Sequence, residues 1–275
     1  MALPISVRDV AAAGLRMNVA VAGSGPAVLL VHGFPHTWQL WENIIPELAE
    51  SHTVIAPDLR GLGGTTRAES GYDAQTIADD VVALLDALAV ERAAVVAIDL
   101  GVQAAFLAAI GRPDRVDRLV LMESLVGQLP GAEGFSPPWW FGFHAVPGFA
   151  ERVLLGHEAE YLDFFLQAGT MGRGVSPAFR DAVARSYSGH ESLRSAFEYY
   201  RAFPAGAQQI ADASARGRLT MPTMAVGSFP VGDTTFRQLS TVADDLVGHV
   251  LEDCGHIIPQ DRPAELLAVL RPFLD

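Results

Sequence analysis

The sequence predicts an α/β protein with a mostly parallel β-sheet, helices on both faces and an inserted helical cap. Two observations predict this fold class. Strand and helix patterns alternate along most of the 275 residues, and such alternation builds parallel sheets. The alternation stops between residues 125 and 215, where helical patterns continue without a clear strand. This interruption predicts a core formed by residues 1–124 and 216–275, and a cap formed by residues 125–215.

The strands are predicted mainly from short apolar runs, rich in β-branched residues, that end near glycine or proline. In chain order they are ISVRDV, LRMNVAVAG, PAVLLVHG, HTVIAPDLRG, AAVVAID, VDRLVLMES, MPTMAVGS and VGHVLED. Helical patterns outside the cap are DAQTIADDVVALLDALAV, LGVQAAFLAAIG and RPAELLAVLRPFL. Because such sheets bind ligands beyond the carboxyl ends of their strands, the cap is expected to cover that edge.

Composition restricts the partners. The chain has 32 acidic and 19 basic residues and a net charge of −13, which argues against nucleic acid and anionic membrane as partners, because both require positive patches. Its single cysteine, Cys254, excludes a disulfide within the chain and a cysteine-based metal site. No stretch resembles a signal peptide or a membrane span. We therefore expect a cytoplasmic protein and leave a homodimer open.

A carboxylate stands alone where a buried strand meets a helix. In AAVVAIDLGVQAA, Asp99 is preceded two residues earlier by Ala97 and followed two residues later by Gly101. A nucleophile on a sharp strand-to-helix turn needs small residues there, because the chain folds back on itself. An aspartate in this position would form an ester, which suits displacement at the sp³ carbon of an epoxide or a carbon–halogen bond. The alternative is that Asp99 only caps the helix.

A second loop supplies hydrogen-bond donors. The His-Gly-Phe-Pro sequence in VLLVHGFPHTW follows a strand, which is where proteins with such a turn place an oxyanion-hole N–H group. We expect the N–H groups of Phe34 and Leu100 to hold the oxyanion that forms when water attacks the Asp99 ester. A purely structural turn is the alternative, and His32 is expected to be a hydrogen-bonded loop residue.

The base is expected after the last strand. LEDCGHIIPQDRPAELL places His256 in a loop between that strand and the final helix, and the nucleophile precedes it in the chain, as in other enzymes with this turn. Two acids are candidates for orienting His256. Glu123 ends the strand VDRLVLMES, where a carboxylate requires a partner such as an imidazolium, whereas Asp233 lies beyond the penultimate strand. We favour Glu123 and keep Asp233 as the alternative.

Asp99 in its turn and the motifs HGFP, DLRG, GHIIP and WW…EYYR resemble the α/β-hydrolase-fold epoxide hydrolases over essentially the whole chain. The resemblance implies an α/β-hydrolase fold with a helical cap whose donors, usually two tyrosines, hold the epoxide oxygen. Tyr200 matches one of these tyrosines. Helical spacing puts Leu193, Phe197 and Tyr200 on one inward face, whereas Tyr199 is expected to point outward.

The second cap tyrosine is absent, and PPWWFGFH, with Trp139 and Trp140, stands in its place. An indole N–H group is a donor only, which is sufficient to bind an epoxide oxygen. The pair of tryptophans with Tyr200 resembles the epoxide hydrolases of kinamycin-type aromatic polyketide biosynthesis, an antibiotic pathway. This resemblance implies a bulky aromatic or polyketide-type substrate. The alternative is that one or both tryptophans serve packing alone.

These residues predict an epoxide hydrolase that forms an Asp99 ester and hydrolyses it to a vicinal diol with water, without a metal or an organic cofactor. One alternative is a haloalkane or haloacid dehalogenase with the same nucleophile. Leu100 disfavours it, because haloalkane dehalogenases usually carry tryptophan there and fluoroacetate dehalogenases carry arginine. Ile98 is a departure from the family, many members of which have histidine before the nucleophile. The other alternative is a catalytically silent, ligand-binding member of the fold.

Overall fold

The computed structural model describes residues 4–275, so the first three residues of the predicted core lie outside the described chain. The strands in the described residues are β1 (Ser6–Ala12), β2 (Leu15–Ala22), β3 (Ala27–Val31), β4 (Thr53–Pro57), β5 (Ala93–Ile98), β6 (Val116–Met122), β7 (Thr223–Gly227) and β8 (Leu246–Val250). They form one sheet in the order β1-β2-β4-β3-β5-β6-β7-β8. The pairs β1–β2 and β2–β4 are antiparallel, and the remaining pairs are parallel. The predicted fold class, a mostly parallel sheet, is confirmed.

Helices flank this sheet. A short 3₁₀ helix spans Trp38–Trp41. The α-helices in residues 4–275 are α1 (Ile45–Leu48), α2 (Ala74–Ala87), α3 (Gly101–Gly111), α4 (Trp139–Ala145), α5 (Phe149–Leu154), α6 (Glu158–Ala168), α7 (Pro177–Ser186), α8 (His190–Ser214), α9 (Thr234–Leu239), α10 (Ile258–Asp261) and α11 (Pro263–Leu274). Five of them, α4 to α8, lie between β6 and β7. None of the helices in the described chain is both long and apolar enough to cross a membrane.

Local chemistry fixes several helix starts. The side chain of Asp73 accepts a hydrogen bond from the N–H of Thr76 and so caps the first turn of α2. Ser176 caps α7 in the same way through the N–H of Phe179, and Pro177 follows at the first helical position, where its missing N–H costs nothing. These caps set the ends of a core helix and of a helix in the inserted segment.

The strand order brings three loops together. The central strand β5 is buried along its whole length, as expected for an apolar strand covered on both faces. Strands β3 and β6 are its neighbours on either side. Because the three strands are parallel, the residues that follow them, Phe34, Asp99 and Glu123, emerge at the same edge of the sheet.

Helix α8 is buried on more than one side between Ser192 and Tyr200, although His190 and Glu191 at its start are exposed. It packs on α2 and α3 of the core and on α4 and α5 of the inserted segment. Consequently both sides of the helix carry buried residues, including Tyr199 and Tyr200. Sequence periodicity assumes one buried face and one exposed face, and this helix does not meet that assumption.

Candidate active site

Asp99 stands on a strained turn between β5 and α3. Its φ angle is +55°, in the left-handed region that costs free energy for a residue other than glycine. The turn requires small neighbours: a Cβ atom on Gly101 would lie 2.5 Å from the carbonyl oxygen of His32, and one on Gly33 would lie 2.1 Å from Oδ1 of Asp99. The strain and the close approach hold the carboxylate out from the strand end, as a nucleophile on such a turn requires.

Two backbone donors converge on this carboxylate. The N–H group of Phe34 donates a 2.7 Å hydrogen bond to Oδ1 of Asp99. The backbone N–H group of Leu100, the next residue, contributes to lowering the pKa of Asp99. Both predicted oxyanion donors therefore lie beside Asp99. His32 is fully buried, with Nδ1 2.9 Å from the carbonyl oxygen of Gly33 and Nε2 accepting from the N–H of Leu59.

His256 bridges two carboxylates. Its Nε2 atom lies 3.2 Å from Oδ2 of Asp99, and its Nδ1 atom lies 3.1 Å from Oε2 of Glu123. The Glu123 side chain is fully buried, and its other oxygen accepts a 2.5 Å hydrogen bond from the N–H of Ser228. Glu123 also has a positive φ angle, +47°, so two of the three ionisable residues stand on strained strand ends.

The positive charge of His256 and the negative charge of Asp99 stabilise each other. Burial lowers the pKa of His256, but the hydrogen bonds and charges of Asp99 and Glu123 outweigh it and raise the pKa to about 10. Burial raises the pKa of Asp99, but the hydrogen bond and charge of His256 outweigh that effect and hold it below its ordinary value. At neutral pH His256 is therefore an imidazolium that bridges Asp99 and Glu123.

The alternative acid, Asp233, is elsewhere. Its side chain is 61% exposed and pairs with Arg237, one turn later on α9, at 3.1 Å. The loop after β7 turns towards His256 through Ser228, which donates its hydroxyl to the carbonyl oxygen of Gly255, and Asp233 lies farther along at the start of α9. Of the two candidate acids, the structure brings only Glu123 to His256.

A cavity of about 420 Å³ lies above Asp99. Asp99, Glu123 and His256 line its floor, and Trp140, Phe165 and Tyr200 line it from the inserted helices. The ring of Tyr200 packs edge-on against that of Phe34, with the ring centres 5.6 Å apart. Burial raises the pKa of Tyr200 well above its ordinary value, so its hydroxyl stays protonated and can donate.

Two expectations about the inserted helices are wrong. Trp139 does not line the cavity: its side chain is 59% exposed and packs on Phe143 and Phe164. Successive helical residues point about 100° apart, so only Trp140 faces inward. Tyr199 does not point outward: it is buried and donates a 2.8 Å hydrogen bond to the carbonyl oxygen of Arg60, because the opposite side of α8 lies against the core.

Sequence reasoning missed residues that support the site. The N–H of Ser228 holds Glu123, but a backbone donor leaves no signature in residue type. Arg173 and Asp261, which lie beside the loop that carries His256, are 88 positions apart in the sequence, so no motif contains both. Within residues 4–275, no group of three or more histidine, cysteine or acidic residues is arranged to hold a metal ion.

The chain is similar to known proteins over most of its length. A family profile described as "alpha/beta hydrolase fold" matches residues 26–263. The chain is 33% identical over 264 residues to the soluble epoxide hydrolase of Corynebacterium sp. strain C12, covering 91% of this chain and 90% of that protein. It is 30% identical over 274 residues to the 2-hydroxymuconate semialdehyde hydrolase of Pseudomonas sp. strain CF600, covering 97% and 93%.

Two further similarities bear on the fold and on the reaction. The crystal structure of Cfl2 from Burkholderia cenocepacia superimposes with a TM-score of 0.90 at 30% identity, covering 100% of this chain and 97% of that one. A shorter stretch of 112 residues is 36% identical to a fluoroacetate dehalogenase of Burkholderia sp., covering 39% of this chain and 37% of that protein.

Proposed function

The chain belongs to the alpha/beta hydrolase fold family, and from this premise we propose that it is an epoxide hydrolase, which opens an epoxide through an ester of Asp99 and releases a vicinal diol. One observation carries the proposal: an aspartate on the strained turn faces a cavity and is paired with His256, which in turn is held by Glu123. A carboxylate nucleophile forms an ester that a neighbouring base can then hydrolyse.

In the first step, a carboxylate oxygen of Asp99 attacks an epoxide carbon, and the bond between that carbon and the ring oxygen breaks. Tyr200 and Trp140 are the proposed donors to this oxygen as its negative charge grows. Such donors are most useful when they match the developing charge of the transition state. The alkoxide takes the hydroxyl proton of Tyr200, which is replaced from solvent.

In the second step, water hydrolyses the ester. Esterification removes the charge of Asp99 and frees Nε2 of His256, so the pKa of His256 falls and its proton is released. Nε2 then takes a proton from water, whose oxygen bonds to the ester carbonyl carbon, while Nδ1–H stays hydrogen-bonded to Glu123. The N–H groups of Phe34 and Leu100 hold the oxyanion. The ester C–O bond breaks, and the departing alkoxide takes the proton from His256.

We propose further that the substrate is bulky, aromatic and uncharged, of the kind found in kinamycin-type polyketide pathways. The cavity volume of about 420 Å³ supports a substrate of this size, and many of its walls are aromatic rings, among them Phe141, Phe165 and Phe203. No arginine is among the residues that line the cavity in the described chain, and the sequence contains no lysine. An anionic substrate would therefore meet two acidic residues, and the cation beside them, His256, is already paired with both.

A dehalogenase is the second candidate, because a stretch of 112 residues is 36% identical to a fluoroacetate dehalogenase. It would use the same ester, with halide as the leaving group. Leu100 at the turn and the absence of a lining arginine argue against a haloacid substrate. In this reaction Trp140 and Tyr200 would hold the halide instead of the epoxide oxygen.

The test is a single turnover in water enriched in ¹⁸O, with aromatic epoxides such as styrene oxide and a naphthoquinone epoxide. We expect a diol, and ¹⁸O in the peptide that contains Asp99, because water attacks the ester carbonyl. Asp99→Asn is the control and should form no diol. Label entering the diol directly would contradict the ester. Halide release from a chlorinated or brominated substrate assayed in parallel, without diol formation from the epoxides, would favour the dehalogenase. Ligand binding without any turnover would favour a silent member of the fold.

A further inference from the structure

The loop that carries His256 rests on the inserted helical segment as well as on the core. The N–H group of Ile257 donates a 2.8 Å hydrogen bond to the carbonyl oxygen of Gly169, just after α6. A Cβ atom on Gly255 would lie 2.4 Å from the same oxygen, so the two backbones are in close contact. The residues on both sides of His256 are therefore fixed by their contact with the segment 169–173.

An ion pair ties the same two segments together. The guanidinium of Arg173 donates two 2.6 Å hydrogen bonds, from Nε and Nη2, to the two carboxylate oxygens of Asp261. The Asp261 side chain is 1% exposed, and that of Arg173 is 33% exposed. Arg173 also donates to the carbonyl oxygen of Asp253 at 3.0 Å. A bidentate pair of this kind fixes orientation as well as charge.

Asp261 passes this constraint to the loop. Its Oδ2 atom accepts a 2.6 Å hydrogen bond from the N–H of Gly255, the residue directly before His256. Without Arg173, the Asp261 carboxylate would be buried without its cation, which is strongly unfavourable. It would have to take up a proton or move towards water, and either change alters the hydrogen bond that holds Gly255.

We propose that Arg173 is a positioning residue for ester hydrolysis, acting through Asp261 and Gly255 to hold His256 in place. This inference rests on the proposed function. Ring opening uses Asp99 and the donors of the inserted helices, whereas His256 is required to activate water in the second step. Loss of Arg173 therefore slows the second step and leaves the first nearly unchanged.

The kinetic parameters separate this role from a loss of folded protein. The ratio kcat/KM reports the steps up to ring opening, whereas kcat is limited by hydrolysis when the ester accumulates. For Arg173→Gln we expect kcat to fall ~10- to 100-fold, since a displacement of about 1 Å at a reacting group has effects of this order. KM falls by a similar factor, and kcat/KM stays within about twofold of the wild type.

Four further variants sharpen the test. Arg173→Lys retains the charge but not the two parallel hydrogen bonds, so its kcat is expected to lie between those of the wild type and Arg173→Gln, and it carries the test if Arg173→Gln does not fold. Asp261→Asn should reproduce the effect, and the double variant should be non-additive because both residues act through one contact. Arg180→Gln removes an exposed ion pair with Asp163 in the same helical segment and should leave kcat unchanged.

The assay is steady-state and single-turnover hydrolysis of an aromatic epoxide by the full chain, with mass spectrometry of the Asp99 peptide. Accumulation of the ester in Arg173→Gln supports the positioning role. The positioning role is overturned if kcat and kcat/KM fall equally, or if neither changes, while the wild type still forms diol. If the wild type forms neither ester nor diol, the proposed function itself fails.

Discussion

Asp99 and His256 form a hydrogen-bonded ion pair, with Nε2 of His256 3.2 Å from Oδ2 of Asp99. The same nitrogen cannot take a proton from water while it donates to the carboxylate. Esterification of Asp99 removes this contact, so the nucleophile blocks the base until the first step is complete. This order of events makes the two half-reactions separable by mutation.

Replacing His256 by glutamine is expected to stop the reaction at the ester. The amide cannot accept a proton from water, so hydrolysis should slow by ~10²–10⁴-fold, the usual contribution of a positioned base. Ring opening should continue, and the Asp99 peptide should gain the mass of the substrate. His249→Gln, an exposed change on β8, is the control. A diol formed at the wild-type rate by His256→Gln would contradict the role of His256.

Glu123→Gln tests the acid of the site. The carbonyl oxygen of the new amide would accept from the N–H of Ser228, as Oε1 of Glu123 does at 2.5 Å. Its amino group would then donate to Nδ1 of His256 and place the ring proton on Nε2, the wrong tautomer for a base. We expect ester hydrolysis to slow ~10²–10⁴-fold, by analogy with other triads in which the acid is replaced by its amide.

The matched change Asp233→Asn should leave both half-reactions within about twofold of the wild type, as expected for an exposed residue. Stopped-flow measurements of Trp fluorescence during a single turnover, together with quenched diol assays, would separate the two steps. The opposite pattern, with Asp233→Asn slow and Glu123→Gln normal, would assign the acid to the loop after β7.

The motif residues could be predicted from the sequence because their chemistry is local. The small residues around Asp99 and the Gly-Phe-Pro turn each form a short pattern that can be recognised along the chain, although the close contacts of Gly101 with His32 and of Gly33 with Asp99 join two separate turns. Local sequence patterns could not decide between Glu123 and Asp233 in the same way, because both residues follow a strand. The choice depends on β6 lying next to β5 and on the path of the loop after β7, and a local pattern reveals neither.

The inserted helices could be predicted only in part. Apolar spacing identified the buried face that includes Tyr200, but it could not distinguish a cavity wall from packing against the core. Tyr199 is buried because α8 packs on the core helices α2 and α3 as well as on the inserted helices α4 and α5. Its hydroxyl donates a hydrogen bond to the carbonyl oxygen of Arg60. Trp139 and Trp140 have the same chemistry, so the sequence could not show which of them α4 turns towards the cavity.

The stability of the fold should depend on pH through His256. Its pKa is about 10 in the folded protein and 6.5 in an ordinary environment, so the folded state binds the proton more tightly than the unfolded state. The resulting stabilisation is fully present below pH 6.5 and is lost as the pH rises through about 10. Other groups titrate in this range, so a comparison with a variant is needed.

We therefore expect the melting temperature of the wild type to fall more between pH 6.5 and pH 10 than that of His256→Gln. Differential scanning calorimetry at a series of pH values provides the measurement. Because the loss of His256 also changes the titration of Asp99, the His256 imidazole is titrated directly by NMR in the wild type. A pKa value near 6.5 would mean that His256 is not held as an imidazolium between Asp99 and Glu123 in the folded state.

The two tryptophans of α4 provide the last test, because they differ in position and not in chemistry. Trp140 lines the cavity. Trp139 packs edge-on against the ring of Trp140, with the ring centres 5.8 Å apart, and is largely exposed.

Trp140→Phe keeps an aromatic wall but removes the indole N–H. If this group stabilises the epoxide oxygen in the transition state, the rate of ester formation should fall ~10²-fold, the usual effect of losing one such donor. Trp139→Phe should change it by less than about twofold, since exposed substitutions away from a site have small effects. Rapid-quench measurement of ester formation compares the two directly: equal rates for both variants would leave Tyr200 as the donor and assign Trp140 to packing.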